Sequence, residues 1–313
     1  MGTLALLSEA KAVRTERNPV EIYLAGLSAT GRRSMAQKLN TVAGILGYSD
    51  VRSVAWGRLR FDHAVTIRSS LSDGGLAPAT VNATLAALRG VAKAAWALDL
   101  LSGEDYNRIS AVKGLRSSRL PSGRALTIGE VTALFDACYD DKTVAGRRDA
   151  AILALLLGAG LRRAECAALA LNDYSLETRE ITVKGKGDKQ RLMPLGVTAN
   201  QAVRDWLQAR GDWSGALLCR VGKNGAIEQE GISSQAIYAA LVKRGNAARV
   251  AHFSPHDLRK TYASGLIDLS GDISTVSRLL GHASIDTTAI YDRRGEAAKR
   301  KVAEGCHLPY RTQ

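Results

Sequence analysis

Hydrophobic residues in the first 115 positions recur at helical spacing, and no alternating strand pattern stands out. Over residues 34–47 the apolar positions form one helical stripe: Met35, Leu39, Val42 and Leu46. A second stripe follows Pro78, a residue suited to a first helical turn, and consists of Val81, Leu85, Leu88 and Trp96. The pattern predicts an all-helical first half with these stripes in its core.

Helical patterns return after residue 125 and are interrupted by one hairpin. Thr127 and Glu130 have the spacing of a capping box, which predicts a helix to about Ala137, and a long helix is expected over 145–158. Between 180 and 195, apolar residues flank a glycine-rich turn, as in two antiparallel strands. Helices are expected to resume from about residue 198 to the C-terminus. The predicted fold class is mainly α with a small antiparallel β-sheet in the second half (α+β).

A polar, basic segment at 113–124 contains two Gly and one Pro, and it predicts an interdomain linker. The length of 313 residues also favours two domains. We place a helical domain at 1–115, the linker at 116–125 and a second domain at 126–313.

The composition is that of an ordinary soluble protein, with 46% apolar and 23% charged residues. The longest apolar run, 150–157, is far shorter than the ~20 residues that span a bilayer. The N-terminus has no basic segment before its apolar run and is a poor signal peptide. The four cysteines are scattered, which argues against disulfides or a zinc site and favours a reducing cytosol: Cys138, Cys166, Cys219 and Cys306.

The chain is strongly basic, with 43 Lys and Arg against 30 Asp and Glu. A polyanionic partner, most commonly nucleic acid, is therefore expected. Both halves share the excess: residues 1–120 hold 16 basic and 9 acidic residues, and the remainder 27 and 21. This distribution favours a clamp. Aromatic residues make up only 5% and no RNP-like strand is evident, which argues against RNA.

Three local patterns suggest other chemistries and fail. Residues 158–163 lack the third glycine of a dinucleotide fingerprint, and 184–187 lack the spacing of a P-loop. His252 and His256 are four apart, but Pro255 interrupts any helix that would place both on one metal, and no Glu lies between them.

A corner suited to an anion is expected at residue 254. Ser254 is a plausible N-cap, Pro255 fits the first helical position and Asp257 can serve at N3. His256 and Arg259 then share one face of the first turn, near free backbone N–H groups and the positive end of the helix dipole.

Other basic side chains follow chain bends. Arg162 comes after the bend at 158–160 and can project into a cleft; a surface ion pair with Glu165 is the alternative. A helix over 272–280 should end at Gly281, followed at once by His282. Another short helix starts near Ser284 and leads to Tyr291.

Six residues then stand out in chain order: Arg162, Lys186, His256, Arg259, His282 and Tyr291. Without a carboxylate pair or a metal-ligand set, they fit phosphoryl transfer to a side-chain hydroxyl. With these residues, the second half resembles the tyrosine recombinase, or phage-integrase-type, family. The matching segments are GLRRAE at 160–165, GKGDKQR at 185–191, HDLRKT at 256–261 and LLGH at 279–282. The first half resembles the family's helical core-binding domain in pattern and size. The layout is most similar to minimal two-domain Xer-like recombinases and transposon resolvases.

The resemblance implies a mechanism. Tyr291 attacks a DNA phosphodiester, forming a 3′-phosphotyrosyl bond and releasing a 5′-hydroxyl. The phosphate oxygens are bound by Arg162, Arg259 and His282. His256 accepts the tyrosyl proton, Lys186 protonates the leaving oxygen, and Glu165 orients Arg162 or His256. No metal ion or cofactor is implied.

The resemblance also implies the partners: double-stranded DNA with a specific recombination site, a homotetramer on two duplexes, and in some cases an accessory or partner recombinase. A cytoplasmic, nucleoid-associated enzyme with no membrane partner is expected. The tail from Asp292 is expected to dock on a neighbouring subunit. A type IB topoisomerase and a catalytically silent DNA-binding protein are the alternatives, and the complete set ending at Tyr291 argues against the second.

Overall fold

The computed structural model describes residues 18–116, 123–185, 190–281, 285–289 and 291. The chain divides into two compact units, Met1–Leu120 and Pro121–Gln313. Within the described residues, no helix has the length and apolar character needed to cross a membrane. The domain boundaries expected at 115 and 126 lie close to this division and stay predictions.

The first unit is helical throughout its described residues. Its helices are α1 (Pro19–Ala25), α2 (Ala29–Ile45), α3 (Phe61–Asp73), α4 (Pro78–Ala97) and α5 (Gly103–Ser110), with 3₁₀ turns at Val51–Ser53 and Trp56–Arg58. Helix α4 packs against each of the other four and buries the predicted Val81, Leu85 and Leu88. The prediction is wrong for Trp96 near the end of this helix, because that residue is 44% exposed. Gly90 of α4 lies so close to the ring of Tyr23 that a Cβ there would be 2.1 Å from the ring. The helical first half predicted from the stripes is confirmed.

The second unit is mostly helical around one buried helix. Its helices are α6 (Ile128–Tyr139), α7 (Val144–Gly158), α8 (Arg163–Ala168), α9 (Val197–Arg210), α10 (Ser234–Ala247), α11 (Pro255–Ser270), α12 (Ile273–Leu280) and α13 (Asp286–Ala289). Residues 151–156 of α7 are all buried. Because α7 contacts α6, α8, α9, α10 and α11, it organises the core.

Two small antiparallel sheets lie in the described part of the second unit. The first has the order β1 (Tyr174–Ser175), β2 (Glu180–Lys184), β3 (Gln190–Pro194), so the predicted hairpin is confirmed. The second pairs β4 (Cys219–Val221) with β5 (Ile227–Gly231). The expectation of helices alone after residue 198 is therefore wrong. Strand β5 has the sequence IEQEG and is largely exposed to solvent, so it lacks the alternation of apolar and polar residues that would predict a strand. Its backbone pairing with β4 defines it.

A buried arginine connects three helices of this unit. The Arg244 side chain is 3% exposed and binds Asp141 at 2.6 Å and Asp149 at 2.7 Å. It also donates to the Ala137 carbonyl, 3.0 Å away. Burial raises the pKa of the Asp141 carboxyl, but hydrogen bonds from Thr143 and Arg244 outweigh it and hold that pKa below its ordinary value.

The start of the second unit is bound to α11. The Arg124 amide donates to Asp257 Oδ1 at 3.0 Å, and the Leu126 amide donates to Thr261 Oγ1 at 2.8 Å. Gly123 has φ +91°, and a Cβ there would lie 2.0 Å from Asp257 Oδ1. Residues 123–125, which the sequence assigns to the linker, are thus fixed to the helix that begins at Pro255.

Candidate active site

A bend after α7 presents Arg162. Gly160 has φ +58°, and a Cβ there would lie 2.3 Å from the Tyr262 ring, so only glycine fits. Leu161 is buried, and Arg162 is the N-cap of α8. The predicted bend is therefore built by Gly160, and it brings Arg162 out of the core.

Arg162 and Glu165 form the expected pair. The Arg162 amide donates to Glu165 Oε2 at 2.9 Å, and its Nη1 donates to Oε1 at 2.7 Å. The Arg162 side chain is 48% exposed, whereas that of Glu165 is 10% exposed. The ion pair expected as the alternative exists, but its carboxylate is buried and is shared with a second arginine.

That second arginine, Arg191 on β3, is the principal residue that the sequence interpretation missed as an individual. Its Nη2 and Nη1 donate to Glu165 Oε2 and Oε1 at 2.8 and 3.2 Å. Burial raises the pKa of Glu165, but hydrogen bonds from Arg191 and Arg162 bring it below its ordinary value. The residue lies in the GKGDKQR segment, and its 26-residue separation from Glu165 hides the contact.

The first turn of α11 has the predicted cap. Asp257 Oδ2 accepts hydrogen bonds from the Ser254 amide and hydroxyl, both at 2.9 Å, and Pro255 opens the helix. His256 is the more exposed of the two and only partly covered, whereas Arg259 is buried. The two side chains therefore share the turn but meet different surroundings.

Arg259 joins the ends of two helices. Its guanidinium donates to the Gly160 carbonyl, just after α7, and to the Leu280 carbonyl at the end of α12, 2.5 Å away. Burial, with the nearby charge of Arg162, lowers the pKa of Arg259 to about 10, which leaves it charged at neutral pH. It is a fixed positive charge between the Gly160 bend and α12.

Tyr291 lies beside the side chains of His256 and Arg259. Its side chain is 7% exposed and packs in a small apolar cluster with Ala263, Ile267, Val276 and Leu280. The Tyr291 and His256 rings have centroids 6.4 Å apart. Burial raises the pKa of the Tyr291 phenol, while the charges of Arg259 and Arg162 act against that rise. The phenol is therefore protonated at neutral pH and close to two cations.

His256 is shifted in the opposite direction. Partial burial, then the charges of Lys260, Arg259 and Arg162, lower the pKa of its imidazole, while Asp257 acts to raise it. The imidazole is neutral at pH 7 and can accept a proton. Lys260, itself buried, is a second neighbour that the sequence interpretation did not single out.

The structure thus brings five of the expected site residues together: Arg162, Glu165, His256, Arg259 and Tyr291. Lys186 and His282 lie outside the described residues. Strand β3 and Gly281, which adjoin those gaps, contact each other: a Cβ on Gly281 would lie 3.2 Å from Arg191 Cδ. In the part of the chain that the structure describes, no group of three or more His, Cys, Asp or Glu could hold a metal.

Comparison with known proteins identifies relatives of this chain. The profile of the phage integrase family matches residues 124–297. A tyrosine recombinase XerC from Alcanivorax borkumensis is 32% identical over 260 residues, which are 82% of this chain and 82% of that protein.

Solved structures share the fold. The Tn1549 transposon integrase in complex with transposon right end DNA is 17% identical with a TM-score of 0.68, over 92% of this chain and 99% of that one. A lambda integrase tetramer bound to a Holliday junction is 15% identical with a TM-score of 0.63, over 88% of this chain and 77% of that one. Since the family profile covers more than half of the residues and the XerC relative aligns along most of them, the chain belongs to the phage integrase family of tyrosine recombinases.

Proposed function

We propose that Tyr291 is the nucleophile of this site-specific DNA recombinase, with Arg162, Arg259 and His256 as its immediate catalytic partners. As a tyrosine recombinase the chain is an enzyme that cleaves and rejoins DNA. One observation carries the assignment. The phenol of Tyr291 lies within the field of two buried or half-buried guanidinium groups, and its ring is 6.4 Å from the His256 ring.

The first chemical problem is ionisation of the phenol. A free tyrosine has a pKa of ~10, so forming the phenolate at pH 7 costs about 4 kcal/mol, and burial of Tyr291 adds to that cost. The arginine charges offset part of it. As the Tyr291 oxygen bonds to phosphorus, its proton passes to His256, whose lowered pKa keeps it able to accept one.

The second problem is charge on the phosphate. Arg162 and Arg259 provide planar donors for the non-bridging oxygens, and fixed positive charge is most effective where it needs no rearrangement. The guanidinium of Arg259 is held in place by hydrogen bonds to two backbone carbonyls, and that of Arg162 by its hydrogen bond to Glu165. His282 is proposed to add a hydrogen bond.

The third problem is the leaving group. When the phosphorus–O5′ bond breaks, the departing oxygen needs a proton, and Lys186 is proposed to supply it. Both Lys186 and His282 lie outside the described residues, so these two roles rest on the sequence match. A 5′-hydroxyl from another strand can then attack the phosphotyrosyl bond and rejoin DNA without ATP, because the covalent bond retains the phosphodiester's free energy.

The proposed partners are a specific duplex site and three further copies of this chain, with an accessory or partner recombinase in some reactions. The lambda integrase structure is a tetramer on a Holliday junction, which supports this arrangement for a protein of the same fold. Action in the cytoplasm on nucleoid or mobile-element DNA is part of the same proposal, as is docking of the tail beyond residue 292 on a neighbour.

The nucleophile is tested with a nicked suicide duplex that carries a DNA site selected by binding. We expect a denaturant-resistant protein–DNA adduct that disappears in Tyr291→Phe. Tyr139→Phe is the matched control, because Tyr139 is 76% exposed on α6. An adduct that persists in Tyr291→Phe would show that another group attacks, and relaxation of supercoiled DNA without any site would favour a type IB topoisomerase.

A further inference from the structure

A third arginine, bound to Glu165 beside Arg162, has no role in the proposed mechanism. We propose that Arg191 is a positioning residue: it neutralises Glu165, so that Arg162 keeps its positive charge for the scissile phosphate. This inference rests on the proposed function, since it takes Arg162 as a phosphate ligand.

Both oxygens of Glu165 are divided between the two arginines. Oε1 accepts from Arg162 Nη1 at 2.7 Å and from Arg191 Nη1 at 3.2 Å. Oε2 accepts from the Arg162 amide at 2.9 Å and from Arg191 Nη2 at 2.8 Å. Arg191 therefore grips the carboxylate with two parallel bonds, and Arg162 contacts it with one guanidinium nitrogen and its backbone.

Exposure separates the two arginines. The side chain of Arg191 is 16% exposed and that of Arg162 is 48% exposed. Without Arg191, the carboxylate of Glu165 and the guanidinium of Arg162 would form a pair with no net charge, and Glu165 would neutralise Arg162. With Arg191 present, the three groups keep a net charge of one, and the exposed member, Arg162, is the one that can present it to DNA.

The backbone fixes Arg191 in place. It lies on β3 directly opposite Val183 of β2, and its side chain runs against Gly281, where a Cβ would be 3.3 Å from Arg191 Nη1. Gly281 follows Leu280, whose carbonyl accepts from Arg259. Arg191 Nε is buried with no hydrogen-bond partner among the described residues. The guanidinium is thus oriented by the two hydrogen bonds from Nη1 and Nη2 to Glu165, and its Nε–H has no acceptor in the described part of the chain.

A lysine at this position separates charge from geometry. Lysine keeps the positive charge but is a point charge on a flexible stem, and it lacks the two parallel donors that match a carboxylate. Arg191→Lys should therefore retain part of the function, whereas Arg191→Met should lose it.

The test measures single-turnover adduct formation on the suicide duplex, with an ordinary scissile phosphate and with an uncharged methylphosphonate. On phosphate we expect Arg191→Met to be slower on the order of 10- to 100-fold, the range typical of residues that orient a ligand through another group. On methylphosphonate the deficit should shrink to a few-fold, since the charge that Arg162 neutralises is already gone. Arg220→Met, which removes an exposed ion pair with Glu230, is the control and should cleave normally.

A second variant tests the charge argument directly. Glu165→Gln in the Arg191→Met background removes the carboxylate that competes for Arg162, so the double variant should cleave faster than Arg191→Met alone. A structural role for Arg191 predicts no such rescue. Melting temperatures and DNA affinity of all variants are measured alongside.

Three results would overturn the inference. Normal cleavage by Arg191→Met is the first. The second is a deficit equal on both substrates and unrelieved by Glu165→Gln. The third is a deficit that persists on methylphosphonate but disappears with a 5′-phosphorothiolate, whose sulfur leaves without a proton; Arg191 would then act on the departure of the leaving oxygen. An adduct in Tyr291→Phe would instead contradict the proposed function itself.

Discussion

The rings of His256 and Tyr291 lie near each other, and the pKa values of the two groups are shifted in opposite directions. Burial contributes most to both shifts, lowering the pKa of the imidazole and raising that of the phenol. Pairs of titratable groups that are separated in this way are typical of an acid and its base. At neutral pH the proton is therefore on the Tyr291 phenol, and the neutral imidazole of His256 can accept it.

The pH dependence of cleavage follows from the direction of the His256 shift. Because its pKa lies below the ordinary 6.5, His256 stays neutral at pH 7 and becomes charged only at more acid pH. We expect the second-order rate constant for adduct formation, which reports the free enzyme, to be constant near neutral pH. It should fall only at acid pH, as His256 becomes protonated.

His256→Asn is the control for this profile. It should cleave slowly, with the acid limb absent, since no imidazole titrates. An acid limb of the same shape in His256→Asn would assign the titration to another group and would contradict the role of His256 as base.

Single residues differ in how far sequence alone reveals their contacts. Arg162 and Glu165 are three apart at a helix start, so their contact follows from helical geometry. Glu165 and Arg191 meet only because β3 is paired in register with β2 and the sheet lies beside α8, information that no local pattern contains. Lys260 is similar, because its burial depends on where residue 123 lies.

Among the secondary-structure elements, those with local end signals are the predictable ones. The Ser254–Asp257 cap, Pro255 and the left-handed Gly281, with φ +63°, all have short-range causes. Helix α11 begins, and α12 ends, where these signals predict. Strands β4 and β5 lack such signals. Their pairing has an irregular register and few buried positions, so tertiary context decides their conformation.

The contact of α6, α7 and α10 through Arg244 predicts a large stability effect. Arg244→Met would remove the buried cation that Asp141 and Asp149 share, leaving among the described residues only Arg148 to pair with Asp149 and only the exposed Lys243 to pair with Asp141. Breaking a buried ion pair from one side typically costs about 3–5 kcal/mol, and we expect a loss of that order in the free energy of unfolding. Urea denaturation at pH 7 measures it.

Arg220→Met provides the comparison, because the Arg220 side chain is 53% exposed and its ion pairs are solvated. We expect it to change the free energy of unfolding by less than ~1 kcal/mol. Equal effects of the two substitutions would show that the Arg244 cluster does not hold the three helices together.

Over the whole chain, the net charge of +13 predicts strongly salt-dependent DNA binding. A protein that contacts 6–10 phosphates loses about 10³–10⁵ in affinity between 50 and 200 mM salt, through release of counterions. Since both halves are basic, we expect the full chain to behave in this way in a fluorescence titration. A nearly flat dependence would contradict a clamp in which both halves bind the duplex.

Gly123 couples the start of the second unit to the turn that opens α11. The amide of the next residue, Arg124, donates to Asp257, which caps α11 and directly follows His256. A Cβ at residue 123 would collide with the same carboxylate. Only a residue without a Cβ lets the backbone pass this carboxylate, so the glycine at position 123 and the placement of the turn that carries the proposed proton acceptor depend on each other.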